Sequence, residues 1–160
     1  MRIIGIDPGM SGGIASVFDN GPARVDDLPV ITDRNLTWID GSALQTLLLG
    51  RDLIAHQQTV VVIERVSAMP KQGVSSSFKF GMTFGSILSV VQAVGYRLEF
   101  VTPAVWKRDL CLSSDKKAAL HKARLLFPNC DLSLERHDGR AESLLIAHWY
   151  VTKRVERSAA

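Results

Sequence analysis

Residues 3–18 read Ile3-Ile4-Gly5-Ile6-Asp7-Pro8-Gly9-Met10-Ser11-Gly12-Gly13-Ile14-Ala15-Ser16-Val17-Phe18. A short apolar run ends on a carboxylate, turns through residues rich in Gly and Pro, and resumes as a second apolar run. Runs of this length bounded by turn residues read as strands. The expectation is a strand over 3–7, a turn over 8–13 and a strand over 14–18. Asp19-Asn20-Gly21 has hairpin-turn composition, and a third strand over 23–28 completes an antiparallel meander.

Outward from this stretch the pattern alternates. Ala43, Leu44, Leu47, Leu48 and Ile54 predict a helix over 41–56. Val60-Val61-Val62-Ile63, followed by Glu64, is a continuous β-branched run, expected as a strand buried on both faces and parallel to its neighbour. A long apolar helix is expected over 78–94 despite Gly81 and Gly85, then a strand over 97–101. Ser113 or Ser114 would cap a helix reaching Phe127 and stopped by Pro128, and a last helix spans 140–155. A meander feeding strand–helix–strand crossovers predicts an α/β fold: a mixed five-stranded sheet, antiparallel then parallel, flanked by helices. One domain over 1–155 is expected, with 156–160 as a disordered tail.

Bulk properties narrow the class. A chain of 160 residues suits one core, and 46% hydrophobic with 22% charged is globular rather than disordered. No run of 18 apolar residues is present, so no membrane span is expected, and Asp7 interrupts the first apolar run too early for a signal peptide. Cys111 and Cys130 form no CxxC or Cys/His cluster. They read as small buried hydrophobes, and a reducing cytoplasm is expected. Charge is segregated. Residues 1–64 carry four basic and eight acidic groups, whereas 65–124 carry ten basic and three acidic. A basic middle between carboxylate-bearing ends is either a solvated face or a footprint for a phosphate backbone.

Asp7 and Glu64 each end an apolar strand. On adjacent parallel strands they would emerge at the same sheet edge, where open α/β sheets place their sites. Asp138 and Glu142, four apart at the start of the last helix, share a face. They are also a plausible N-cap and first-turn acid. Four converging carboxylates would repel one another, and a hard divalent cation, Mg²⁺ or Mn²⁺, relieves this. Two ions about 4 Å apart would clamp a scissile phosphate, one activating water and the other stabilising the leaving 3′ oxygen.

Ile4-Gly5-Ile6-Asp7-Pro8-Gly9, Val62-Ile63-Glu64-Arg65-Val66 and Ala141-Glu142-Ser143-Leu144-Leu145-Ile146-Ala147 resemble, in order and separation, the acidic motifs of RuvC-type Holliday junction resolvases. Thr102-Pro103-Ala104-Val105-Trp106-Lys107 and Ser113-Ser114-Asp115-Lys116 resemble segments of the small RuvC-like endonucleases of bacteriophages. The resemblance implies an RNase H-like fold and a homodimeric endonuclease of branched DNA. It assigns Asp7, Glu64, Asp138 and Glu142 as catalytic metal ligands. The late acids depart from the family's usual pair of aspartates three apart, being Asp and Glu four apart with Gly139 between. His137 would be a ligand, a proton carrier or an exposed residue beside the helix start. Lys71, Lys79, Lys107, Arg108, Lys116 and Lys117 would hold phosphates. The helix over 78–94 would pair two copies or pack on its own sheet, and Met69 or Phe78 would wedge a junction crossover or pack in the core. Three other readings share parts of the pattern: a nuclease of RNA or RNA–DNA hybrid, an actin-like ATPase module built on the Asp7–Gly13 turn, and an inactive DNA-binding module.

Overall fold

The computed structural model describes residues 1–19, 21–50, 58–65, 73–113 and 115–159. Strands β1 (Arg2–Asp7), β2 (Gly13–Phe18) and β3 (Ala23–Asp27) form the meander, followed by a separate hairpin of β4 (Val30–Asp33) and β5 (Leu36–Ile39). Helix α1 (Gly41–Leu49), strand β6 (Thr59–Glu64), helix α2 (Val74–Val94) and strand β7 (Arg97–Val101) come next, then helices α3 (Pro103–Asp109), α4 (Lys116–Leu126) and α5 (Asp138–Ala159). The main sheet has the order β3-β2-β1-β6-β7, antiparallel across β3-β2-β1 and parallel across β1-β6-β7. This is the mixed five-stranded sheet expected.

The central strands are buried on both sides, so their residues alternate between two cores. Ile3, Val60 and Val62 pack with Trp106 of α3, Leu120 and Ala123 of α4, and Leu144 and Leu145 of α5. Ile4, Ile6, Val61 and Ile63 pack with Leu44 and Leu48 of α1 and Ile87 and Val91 of α2.

Several local expectations are corrected. The β4–β5 hairpin and α3 were not foreseen. Helix α1 stops at Leu49 because Gly50 takes a left-handed φ of 63°, and Arg2 donates to the carbonyls of Leu47, Leu48 and Leu49. Those carbonyls have no partner within the helix, so a buried guanidinium is a suitable cap. Residues 51–57 lie outside the described residues. Helix α2 begins at Val74, not at 78. Asp115, not Ser113, caps α4 by accepting from the Lys117 amide; Ser114 lies outside the description. Helix α5 runs Asp138–Ala159, over residues expected as a tail. Cys111 is exposed rather than buried. It sits at φ 53° in the turn closing α3, where Leu112 donates to the Lys107 carbonyl and Cys111 to that of Arg108. That left-handed closing position is usually a glycine's.

α5 lies unusually close to the sheet. A Cβ on Gly5 would collide with the Ser143 carbonyl and come 2.7 Å from the Ala147 amide. Gly12 and Gly139 form a parallel bridge between the β1–β2 turn and the first turn of α5. These glycines let two backbones touch, which brings the start of α5 to the end of β1.

Candidate metal centre

The register builds the site. Ile6 lies opposite Ile63 on parallel strands, so the next residues, Asp7 and Glu64, reach the same edge. Ile6 and Ile63 face α1 and α2. Alternation therefore turns Asp7 and Glu64 to the opposite face, towards α5. Glu142, on the second turn of α5, meets them there. One carboxylate oxygen from each of Asp7, Glu64 and Glu142 lies within 4.8 Å of the others. Glu64 and Glu142 are 4% and 8% exposed, so two of the three acids are largely withdrawn from water.

Helix α3 supplies the counterweights. Glu64 pairs with Val101 at the end of β7, and Thr102 and Pro103 then start α3 at once. Pro at the first helical position suits that abrupt start. Consecutive side chains of α3 reach the acids. The Trp106 indole donates to Glu64 Oε1 at 2.7 Å, and the Lys107 ammonium lies 2.7 Å from Glu142 Oε1. Lys107 also sits 5.0 Å from the Trp106 ring centroid. Burial pushes the Glu64 carboxyl above its ordinary range, the Trp106 hydrogen bond opposes this, the charge of Glu142 adds to it and that of Lys107 opposes it. An acid raised by burial beside a second acid is held as a carboxylate more readily when a cation enters the cluster.

Other expected site residues fall elsewhere. Asp138 opens α5 but does not belong to the carboxylate group formed by Asp7, Glu64 and Glu142. His137 is buried, only 4% exposed, contrary to the exposed alternative. Its Nδ1 accepts from the Leu134 amide at 3.5 Å, closing the turn before α5. Arg140, between the two late acids, grips Asp27 through both its Nε and Nη2 and Asp131 through Nη1. Those bonds, the one to Asp27 foremost, raise the Arg140 pKa beyond its ordinary value. Lys79, Arg108 and Lys117 are exposed, with Arg108 paired to Asp109 at 2.9 Å. Lys71, Met69 and the side chain of Lys116 lie outside the description. Phe78 is 67% exposed and contributes nothing to the core.

Sequence reasoning missed Trp106 as a partner of Glu64. Its signal was present: an aromatic donor beside a lysine, immediately after the strand that neighbours β6.

In a search of solved structures, RuvC of Thermus thermophilus matches with a TM-score of 0.63 at 18% identity, covering 98% of this chain and 97% of that one. The same protein in complex with a Holliday junction substrate matches with 0.63 at 18%, over 97% and 96%. The yeast mitochondrial Holliday junction resolvase matches with 0.53 at 17%, over 99% of this chain and 80% of that one. No family model and no curated protein matches the sequence. The shared feature is the fold, so the chain has the RNase H-like architecture of RuvC, as its motifs predicted.

Proposed function

We propose that this chain is a metal-dependent endonuclease of branched DNA, four-way junctions above all, hydrolysing phosphodiesters to 5′ phosphate and 3′ hydroxyl ends. The observation that carries the reading is the approach of the Asp7, Glu64 and Glu142 carboxylates to within 4.8 Å at the sheet edge. An all-oxygen donor set, mostly buried and, among the described residues, beside one lysine, fits Mg²⁺ or Mn²⁺. Asp7, Glu64 and Glu142 would hold such a cation, with Asp138 at the first turn of α5 as a further candidate. When bound, it would make water a nucleophile at neutral pH and stabilise the leaving oxygen, through two ions if the site takes a pair.

The chain's own residues divide the remaining work. Burial excludes water from around Glu64 and Glu142 and strengthens every charge interaction there. Lys107 places positive charge beside the cluster, suited to a phosphate that enters it. Lys79, Arg108 and Lys117, with Lys71 and Lys116, would hold the DNA backbone without reading bases. Such binding selects shape, and the structure of T. thermophilus RuvC on a Holliday junction supports a junction as that shape.

Two active sites cutting opposed strands require two copies of the chain. Helix α2 supports a homodimer. It buries only Thr83, Ile87 and Val91 and has no acid in its sequence. Val74 and Phe78 are 88% and 67% exposed, and a Cβ on Gly81 or Gly85 would meet nothing within 4 Å. By length and composition α2 is also apolar enough to cross a bilayer, so self-association in solution separates the two occupants. Phe78 or Met69 would then be available as a crossover wedge. We place the activity in DNA recombination and repair, in a bacterial or phage-infected cytoplasm.

The test is a labelled mobile four-way junction beside linear duplex, fork and RNA–DNA hybrid, with and without Mg²⁺. Symmetric paired nicks bearing 5′ phosphates, dependent on metal and absent in Asp7→Asn, are expected. Cutting of the hybrid alone would move the function to RNA removal, and 3′ phosphate products would overturn the mechanism.

A further inference from the structure

We infer that Trp106 is a positioning residue of the metal centre: its indole N–H orients Glu64 so that the carboxylate is presented to the cation. The inference rests on the proposed metal-dependent reading and adds a residue to it. Trp106 is fully buried, and its indole donates to Glu64 Oε1 at 2.7 Å. Glu64 is itself 4% exposed at the end of a strand whose other residues are packed. A glutamate has three side-chain torsions, and on a strand end each adds freedom that a metal ligand cannot retain. The indole removes that freedom from one oxygen and leaves the second oxygen of the carboxylate able to bind.

The chemistry of the donor matters. An indole N–H donates only and carries no charge, so it stabilises the ionised carboxylate without neutralising the cluster. The chain uses lysine at the next position, where Lys107 reaches Glu142 rather than Glu64. Helix α3 therefore assigns a neutral donor to one acid and a cation to the other. A purely packing role for Trp106 would not require its nitrogen to meet the one acid that ends β6.

The chain has three tryptophans, so a ¹H–¹⁵N spectrum of the full-length protein shows three indole signals. Trp38→Phe and Trp149→Phe assign that of Trp106 by elimination. Trp149 is the internal control, since it donates to a carboxylate outside the cluster, Asp109, at 3.0 Å. Mg²⁺ is expected to shift the Trp106 indole signal, Mn²⁺ to broaden it beyond detection, and Glu64→Gln to move it upfield, with Trp149 little changed. Trp106→Phe keeps most of the ring volume and removes the donor. It is expected to weaken Mn²⁺ binding by calorimetry about 10-fold, the usual size of losing such a supporting partner. A Trp106 signal indifferent to Mg²⁺ and Mn²⁺, while the wild-type protein binds Mn²⁺, overturns the inference alone. Wild-type affinity in a folded Trp106→Phe does the same. If the wild-type protein binds no Mn²⁺, and Asp7→Asn is indistinguishable from it, the metal-dependent reading falls and this inference with it. The wild-type titration stands even if Trp106→Phe does not fold.

Discussion

The two faces of the sheet are packed by different means. On one, α5 lies with its backbone against Gly5, Gly12 and Gly13, and Ala141, Leu144, Leu145, Ile146 and Ala147 are each 0% exposed. On the other, α2 touches the core through Thr83, Ile87 and Val91 and leaves much of its length in solvent. Contact between backbones has no side chain to absorb an error, so the α5 face is rigid and sensitive to single atoms. That is the face on which Glu142 must meet Asp7 and Glu64. The α2 face tolerates change and retains an apolar surface, at Val74 and Phe78, that the described residues of one copy leave exposed. Precision and, on the proposed reading, association thus fall on opposite sides of one sheet.

The sharpest way to break this contrast is at the carboxylates. Asp7→Asn should lower single-turnover cleavage of a junction by about 10³-fold or more, the scale of losing a direct stabiliser of the reacting phosphate, with junction binding nearly intact. Asp138→Asn should have a much smaller effect, since the cluster forms without it. Equal losses would show that the group of three is incomplete and that the start of α5 moves inward on metal binding.

Next in size is a pair of glycines. Gly5→Ala should destabilise the fold by about 3 kcal/mol in urea titrations, because the new methyl meets backbone that cannot yield. Gly81→Ala, on the open face of α2, should leave monomer stability unchanged or raise it by about 0.5–1 kcal/mol through helix propensity. The same substitution should weaken self-association in sedimentation. A stable Gly5→Ala protein would mean that α5 can slide, and the rigidity of the site face would be lost as an explanation.

Smaller effects test the charges. Lys107→Ala should reduce turnover about 10-fold with little change in the salt dependence of binding, whereas Lys79→Ala should lower the salt slope by about one and spare turnover. The smallest effect concerns pH. Burial, with Lys122 contributing, holds the His148 imidazole below its ordinary value of 6.5. The unfolded chain then binds the proton more tightly than the folded one. His148 therefore leaves stability unaffected above about pH 6.5 and lowers it as pH falls towards the depressed folded value. His148→Leu should flatten that part of the stability–pH curve, and an unchanged slope would point to another titrating group.

Much of this was legible in the residues. Ile3–Asp7 and Val60–Glu64 declared themselves by unbroken apolar runs, because a strand buried on both faces has no polar side to show. A carboxylate at the end of each was therefore visible as a pair. Less legible was Asp138 against Glu142. Their spacing put both on one helix face, but only the docking of α5 decides which turn meets the sheet. His137 illustrates the same limit, since its burial depends on the turn that Leu134 closes. The β4–β5 hairpin was missed because β4 is exposed along its whole length and β5 has only four residues, too few for an alternation to read. Helix α3 was missed because seven residues are too few for a helical period.

By itself the sequence determined the five strands of the main sheet and their mixed pairing, the four longer helices between and after them, and the two strand-end acids. Those follow from local periodicity and from which side chains exclude water. Only the tertiary structure decided that Gly5, Gly12 and Gly139 admit α5 close enough for Glu142 to complete the cluster, and that Trp106 and Lys107 serve Glu64 and Glu142 separately. The physical reason is that both outcomes depend on distances between segments far apart in the chain. A glycine in a strand reads the same whether a helix backbone lies against it or nothing does.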